Sequence, residues 1–238
     1  MAKKILITND DGINSNGIIR LAEAAKEFGE VWVVAPDTER SGASHSVILR
    51  HSFDAWEVDF PVEGVHAFKC TGFPADCVRI GVLNIVPNKP DYVFSGINYG
   101  YNMASDLQYS ATAGGAFEAA FQKIHSIAFS EGASDIHEVT DRYLGVIMAE
   151  LIDKPLGVNQ IWNVNFPECP LSECKGILRD REVSVDEFYK DTYTETMNPD
   201  GRISYMVNGA RNYEASEGTD LRAILDNYVS IGIATNIS

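Results

Sequence analysis

Two hydrophobic periodicities alternate along this chain, and their alternation constrains the fold more than any other feature of it. Residues 4–8, KILIT, form a short β-rich apolar run. Residues 17–29, GIIRLAEAAKEFG, place Ile18, Leu21, Ala25 and Phe28 at helical spacing, with Gly29 as the expected stop. EVWVVAP (30–36) follows as a second buried strand, so the opening is a βαβ unit with its strands parallel and its crossover right-handed. The rhythm continues with a strand at GVHAFKC (64–70), a helix opened by Pro74 at PADCVRIGVLNIV (74–86), and a strand at DYVFSGIN (91–98). A helix of small residues (111–123), a strand (126–130), a helix presenting Val139, Tyr143, Ile147 and Leu151 on one face, and a strand (161–166) complete a doubly wound α/β body.

Two segments break this rhythm. Residues 45–62 read as strand pairs, and 182–208 as a long hairpin turning at Asn198-Pro199-Asp200-Gly201. Tyr189, Tyr193, Ile203, Tyr205 and Val207 give the hairpin one apolar side, which needs a cover, so the expectation is an oligomerisation arm. Thr219 reads as the N-cap of a short helix that leads into a last strand. The expected division is a body over 1–181, an arm over 182–210, and a C-terminal helix and strand over 211–238 that pack on the body or on a partner subunit.

The 34 acidic and 19 basic residues leave a formal charge of −15, which repels nucleic acid polymers and anionic membranes. No stretch approaches the roughly 20 apolar residues of a membrane span. The opening MAKKILITNDDG lacks a secretory apolar region, so the chain reads as cytoplasmic. Its four cysteines fit neither a zinc ribbon nor a C-x-x-C pair and read as reduced structural thiols.

In open parallel sheets, ligands bind where strands deliver their carboxyl ends. Asn9, Asp10 and Asp11 follow the first strand; Arg40, Ser41, Gly42 and Ser44 the second; Ser95, Gly96 and Asn98 the fourth. Adjacent carboxylates at a strand end repel each other unless a cation offsets the charge. Hard oxygen donors without histidine or thiolate favour magnesium, manganese or calcium over zinc or copper. Ser110 and Thr112 precede a helix start rich in Ala and Gly, which suits phosphate, although the same small residues allow helix and sheet to pack closely. His45 is a candidate general acid or, more simply, a structural histidine, and Asp76 sits in the first turn of its helix. A metal beside a phosphate site suggests phosphoester hydrolysis, with an aspartyl-phosphate route as the competing mechanism.

ILITNDDG, VVAPDTERSGASHS, CTGFPADCVRIGV, PDYVFSGINYGYN, YSATAGGAFEA, WNVNFP and EGTDLRAILDNYVSI, in this order, resemble the survival protein SurE family of metal-dependent 5′/3′-nucleotidases. The resemblance implies a Rossmann-like three-layer α/β body with a mainly parallel sheet and an extended β-hairpin arm. It also implies one divalent ion, Mg or Mn (Ca in a crystal), on Asp10, Asp11, Ser41 and Asn98. Asp10, Asp11 and Asn98 become the expected catalytic residues, with Asp10 as candidate nucleophile or base, and Asn9, Gly42, Ser110 and Thr112 the expected phosphate contacts. The implied substrate is a nucleoside 5′- or 3′-monophosphate, and the implied assembly a homodimer or homotetramer. A haloacid-dehalogenase-type phosphatase is the runner-up, although that class spaces its carboxylates two apart. A non-enzymatic nucleotide- or metal-sensing module is the alternative from another class. Ala111 and Phe73 depart from the family pattern and bear on the phosphate approach and pocket shape, and the ending VSIGIATNIS departs as well.

Overall fold

Ile5 and Ile7 face one side of the first strand and Leu6 the other, and both sides are covered by helices. This is the pattern of a parallel strand buried on two faces. The computed structural model describes residues 2–237; Met1, at the start of the expected body, and Ser238, at the end of the expected C-terminal segment, lie outside them. In chain order the elements are β1 (Lys4–Thr8), α1 (Asn16–Ala25), β2 (Glu30–Pro36), β3 (Ala55–Val58), β4 (His66–Cys70), α2 (Pro74–Ile80), β5 (Tyr92–Tyr99) and α3 (Ala111–Phe121). They continue with β6 (His125–Glu131), α4 (Glu138–Leu151), β7 (Gln160–Phe166), β8 (Ile177–Leu178), β9 (Tyr189–Met197), β10 (Ile203–Arg211), α5 (Asp220–Leu225) and β11 (Val229–Thr235).

Nine strands form one sheet in the order β3-β4-β2-β1-β5-β6-β7-β11-β8. Its centre, β4 to β7, is parallel, while β3 and β11 run antiparallel to their inner neighbours. Ile18 and Leu21 of α1 and Ile147 and Leu151 of α4 pack with Ile5, Ile7 and Phe94 on one face. Cys77 and Val78 of α2 and Ala119 of α3 pack with Leu6, Val34 and Val93 on the other. The result is the expected three-layer α/β architecture. The chain moves outward from β1 through β2 to β4, then returns to β5 and proceeds the other way. The reversal opens a crevice between the carboxyl ends of β1 and β5.

Three local expectations are corrected. The first helix ends at Ala25, before Gly29. Gly29 is needed instead where β2 starts beside β1, since a Cβ there would stand 2.3 Å from Lys3 O. Residues 45–62 yield only β3, because side chains hold the backbone that a strand pair would have used. The Asp76 carboxylate accepts from Ile48 N at 3.0 Å, and Thr71 Oγ1 accepts from Asp54 N at 2.9 Å. The helix expected over 74–86 changes pitch after Ile80 into a π-helical turn, Gly81–Ile85, where a Cβ on Gly81 would press on Leu6 Cδ2 at 2.7 Å.

The arm is the antiparallel pair β9 and β10, closed at Asn198–Gly201 by Gly201 N donating to Asn198 O at 3.0 Å. Residues 182–188 precede the arm and pack on the body: Glu182 bridges Thr219, and the ring of Phe188 is buried with Met103, Leu221 and Ile224. Thr219 caps α5 as its sequence position predicts, accepting from Arg222 N, and β11 adds to the body's sheet beside β7. Among the described residues no helix is long and apolar enough to cross a membrane.

Candidate functional site

β1 ends at Thr8, and the next three residues turn the chain into the crevice. Asn9 shapes that turn: its Nδ2 donates to Gly12 O at 3.0 Å and to Ser15 Oγ at 2.8 Å. Both amide hydrogens are therefore spent, and the buried Oδ1 has no partner. The side-chain amide of Asn9 is engaged within the turn, where it builds the loop that carries Asp10 and Asp11.

Asp10 lies at the floor of the crevice, 3% exposed, and Asp11 beside it is partly exposed. Burial pushes the Asp10 carboxyl above its ordinary range, partly offset by a hydrogen bond from Thr112. Asp11 is pushed up to about 7, by burial first and by the charge of Asp10 second, although Tyr99 N donates to its Oδ2 at 3.1 Å. Two carboxyls held in this state carry a debt of positive charge.

Asn98 reaches the same floor from β5. The β5–β6 register shifts between Ser95 and Asn98, an irregularity of the kind that re-aims a side chain beside a site. Gly96 makes the shift possible: it has φ +134°, and a Cβ there would lie 2.2 Å from Phe129 O. Asn98 Nδ2 donates to Gly100 O at 2.7 Å, which fixes the amide and leaves Oδ1 toward the crevice. The Thr112 hydroxyl donates to Asp10 Oδ1 and lies 3.5 Å from Asn98 Oδ1. One hydroxyl thus links the oxygens that β1 and β5 deliver. With Thr112 fully buried and its hydrogen committed to Asp10, the expectation of a direct phosphate contact is replaced by a positioning one.

The second loop is pinned to the same place by its backbone, Arg40 N donating to Asp10 O at 2.7 Å. Ser41 and Gly42 follow and are exposed. No hydrogen bond joins the Ser41 side chain to either carboxylate. Gly42 has φ +70° and open space around it, so it serves a turn and leaves its backbone exposed. Ser110 caps α3 by accepting from Ala113 N at 2.9 Å, which leaves its hydroxyl hydrogen free to donate. The small residues of α3 are needed for packing: a Cβ on Gly114 would meet Ser44 O at 2.5 Å, and Ala111 is fully buried. Phe73 is half-buried with the Arg40 guanidinium over its ring, 5.6 Å from the centroid.

His45 is structural, with Nε2 3.0 Å from Glu118 Oε2 and its ring stacked on Phe121. Asp76 does more than serve the helix dipole, since it latches residues 45–54 through Ile48 N. Glu131, at the carboxyl end of β6, is absent from the expected site residues; its signal in the sequence is its position directly after the apolar run SIAFS.

Asp10, Asp11 and Asn98 offer convergent hard oxygens with a charge deficit between them, a donor set that fits a divalent cation such as Mg or Mn. Among the described residues no group of three or more His, Cys, Asp or Glu side chains is arranged to hold a metal ion, so neutral oxygens would complete the coordination.

Comparison with known proteins bears on the same residues. The family model described as "Survival protein SurE" matches residues 5–186. The "5′-nucleotidase SurE" of Alkaliphilus metalliredigens is 36% identical over 96% of this chain and 91% of its own length. Its namesake from Geobacter metallireducens is 36% identical over 96% and 89%. The crystal structure of the SurE protein from Aquifex aeolicus superposes with a TM-score of 0.83 at 34% identity, covering 99% of this chain and 94% of that one. On this agreement of family model, sequence and fold, the chain belongs to the survival protein SurE family of enzymes.

Proposed function

We propose that this protein is a divalent-metal-dependent phosphomonoesterase that removes phosphate from nucleoside 5′-monophosphates and also accepts 3′-monophosphates. The observation that carries the reading is the link from Thr112 to Asp10 and Asn98, which brings the ends of β1 and β5 to one point in a chain whose relatives are named 5′-nucleotidases. Asp10, Asp11 and Asn98 hold the cation, and Ser41 joins them when the loop after β2 closes by one side chain. Such a cation, when bound, supplies Lewis-acid polarisation of the phosphoryl group.

The chain's own residues do the rest. Thr112 keeps Asp10 Oδ1 occupied, so Oδ2 is the oxygen left to take a proton or to attack phosphorus. The free hydroxyl hydrogen of Ser110 and the exposed backbone at Gly42 approach the phosphoryl oxygens. Asp10, Asp11 and Asn98 sit on backbone-pinned segments, so the ordering left when substrate arrives falls on the loop that carries Ser41. The arm pairs with a second copy of the chain, because its apolar side is uncovered in the monomer.

The test is phosphate release. Chelator-treated protein should be silent, and Mg or Mn should restore release from at least one nucleoside monophosphate. Metal-dependent nucleotide binding with no release from any of them would replace the enzyme by a sensing module.

A further inference from the structure

A cleft opens directly beside Asp11, lined by Asp11, Ser15, Tyr99, Glu131, Asp135 and His137 among others. We propose that this cleft takes the nucleoside end of the substrate, with Glu131 and Asp135 accepting hydrogen bonds from the ribose hydroxyls and the Tyr99 ring against the base. The inference rests on the phosphomonoesterase reading for its chemistry and adds the orientation of the substrate.

Asp11 lines the cleft and stands next to Asp10 at the crevice floor, so the cleft adjoins the proposed cation site. Beyond Asp11 the cleft is lined by the carboxylates of Glu131 and Asp135, which disfavour a second anion there and favour the uncharged, hydroxyl-bearing part of the ligand. Glu131 supplies a separate observation. It is 4% exposed; its Oε1 accepts from Arg20 Nη1 at 2.7 Å, and its Oε2 is buried without a partner. His137 Nδ1 stands 3.0 Å from Oε1 without the alignment of a hydrogen bond, so it leaves Oε2 unanswered. A buried carboxylate oxygen without a donor is costly, and a sugar hydroxyl is the donor a nucleoside brings.

Tyr99 is placed by the Asp11 carboxylate and by the backbone of Glu131. Its N donates to Asp11 Oδ2, and the next residue, Gly100, donates from N to Glu131 O at 2.9 Å. The backbone is thus fixed at both ends while the side chain is 54% exposed, a rigid aromatic face at the mouth of a polar cleft. Bases stack on such faces whatever their identity. The groove on the other side of the site is different: Arg40, Arg50 and His51 line it beside Phe73, which suits an anion better than a ribose.

Adenosine and 2′-deoxyadenosine titrated calorimetrically into metal-free protein test the proposal, with melting curves to confirm that each variant is folded. The wild type should bind adenosine several-fold tighter than the deoxy compound. Tyr99→Ala should weaken both by about tenfold. Glu131→Gln should bring the two affinities together, and Phe73→Ala should change neither. Should Glu131→Gln fail to fold for want of the Arg20 pair, the exposed Asp135→Ala carries the test and should weaken adenosine more than its deoxy counterpart. No binding by the wild type, unchanged binding in the cleft variants, or loss in Phe73→Ala alone overturns the proposal. No metal and no turnover enter the titration, so its failure leaves the phosphatase reading standing, and absence of phosphatase activity leaves the titration standing.

Discussion

The strand-end crevice and the hairpin arm are both incomplete, in opposite senses. In the crevice, polar groups are buried without partners: Thr8 Oγ1, Asn9 Oδ1 and Ser95 Oγ have none, and two carboxyls sit with their pKa values pushed upward. On the arm, apolar groups are exposed without partners. Tyr193 and Val207 face each other across the strands, as do Met197 and Ile203, and all four are at least 43% exposed. A buried polar group without a partner costs free energy, as does an exposed apolar patch, and evolution retains either only where something outside the chain relieves it. The crevice asks for charge and hydrogen-bond donors, whereas the arm asks for a surface. If the proposed metal site and the proposed self-association of the arm both hold, one molecule carries two separate sites, and the two should fail independently.

Asp10→Asn gives the largest expected effect and the sharpest break. Removing one carboxylate halves the charge that holds the cation, and the polarisation lost with it is worth several kcal/mol, so metal-dependent phosphate release should fall on the order of hundredfold or more. The melting temperature should hold or rise, because repulsion with Asp11 is relieved. Full activity at limiting metal would remove Asp10 from the site, and a change of solution mass would couple the two regions that the comparison separates.

Thr112→Val comes next. Valine keeps the shape of a side chain that is fully buried, and it removes the donor to Asp10. A hydrogen bond to a charged group contributes about 1.5–3 kcal/mol, so kcat/KM should drop roughly ten- to hundredfold, with the metal concentration needed for half-activation rising. Loss of kcat/KM with no change in metal demand would make Thr112 a substrate contact after all.

How much of this was legible beforehand differs between the regions for physical reasons. The order of strands and helices follows from hydrophobic period, which the sequence carries locally, and so does the apolar side of the arm, since Tyr189, Tyr193, Ile203, Tyr205 and Val207 fall at even spacing within their strands. The aspartates stand out in the sequence because they coincide with Ser41 and Asn98 at neighbouring strand ends of one sheet; alone, the triplet Asp10-Asp11-Gly12 reads as a solvated turn. Thr112 as a positioning residue was not, since its bond to Asp10 joins residues 102 positions apart and no local pattern encodes it. Asn9 as the builder of its turn was not legible either, since its amide bonds back to Gly12 and Ser15 only in the folded loop. Residues 45–54 misled because the carboxylate that holds their backbone, Asp76, belongs to a helix 28 residues on.

On the arm, Tyr193→Asp places a charge opposite Val207 on the exposed apolar side. If a second copy covers that side, the substitution removes roughly 1.5–3 kcal/mol of apolar burial, and the dissociation constant of the assembly should rise at least about tenfold. Sedimentation across a dilution series reads this directly. An unchanged mass would leave the arm without its proposed partner, and a matching loss of phosphate release would show that the crevice depends on assembly.

Glu150→Gln has the smallest expected effect and serves as the control, because Glu150 belongs to neither region and is already answered within the chain. Arg179 donates to both of its oxygens, at 2.7 and 2.6 Å, and Lys154 adds a third contact at 2.6 Å. These partners, Arg179 foremost, hold its carboxyl down to about 2. A folded-state pKa below the unfolded one means that the ionised form is the stabilised form. The contribution is therefore fully present above the unfolded pKa, near 4.5, and is lost as pH falls toward 2. The side chain is 20% exposed, and ion pairs at such positions contribute about 1 kcal/mol or less, so at neutral pH the variant should melt only slightly below the wild type. The gap should narrow between pH 4.5 and 2, the window those two values define. Phosphate release and solution mass should not move at all. A gap that stays constant across that window would mean that packing of the Glu150 stem, and not its charge, ties α4 to the segment carrying Arg179.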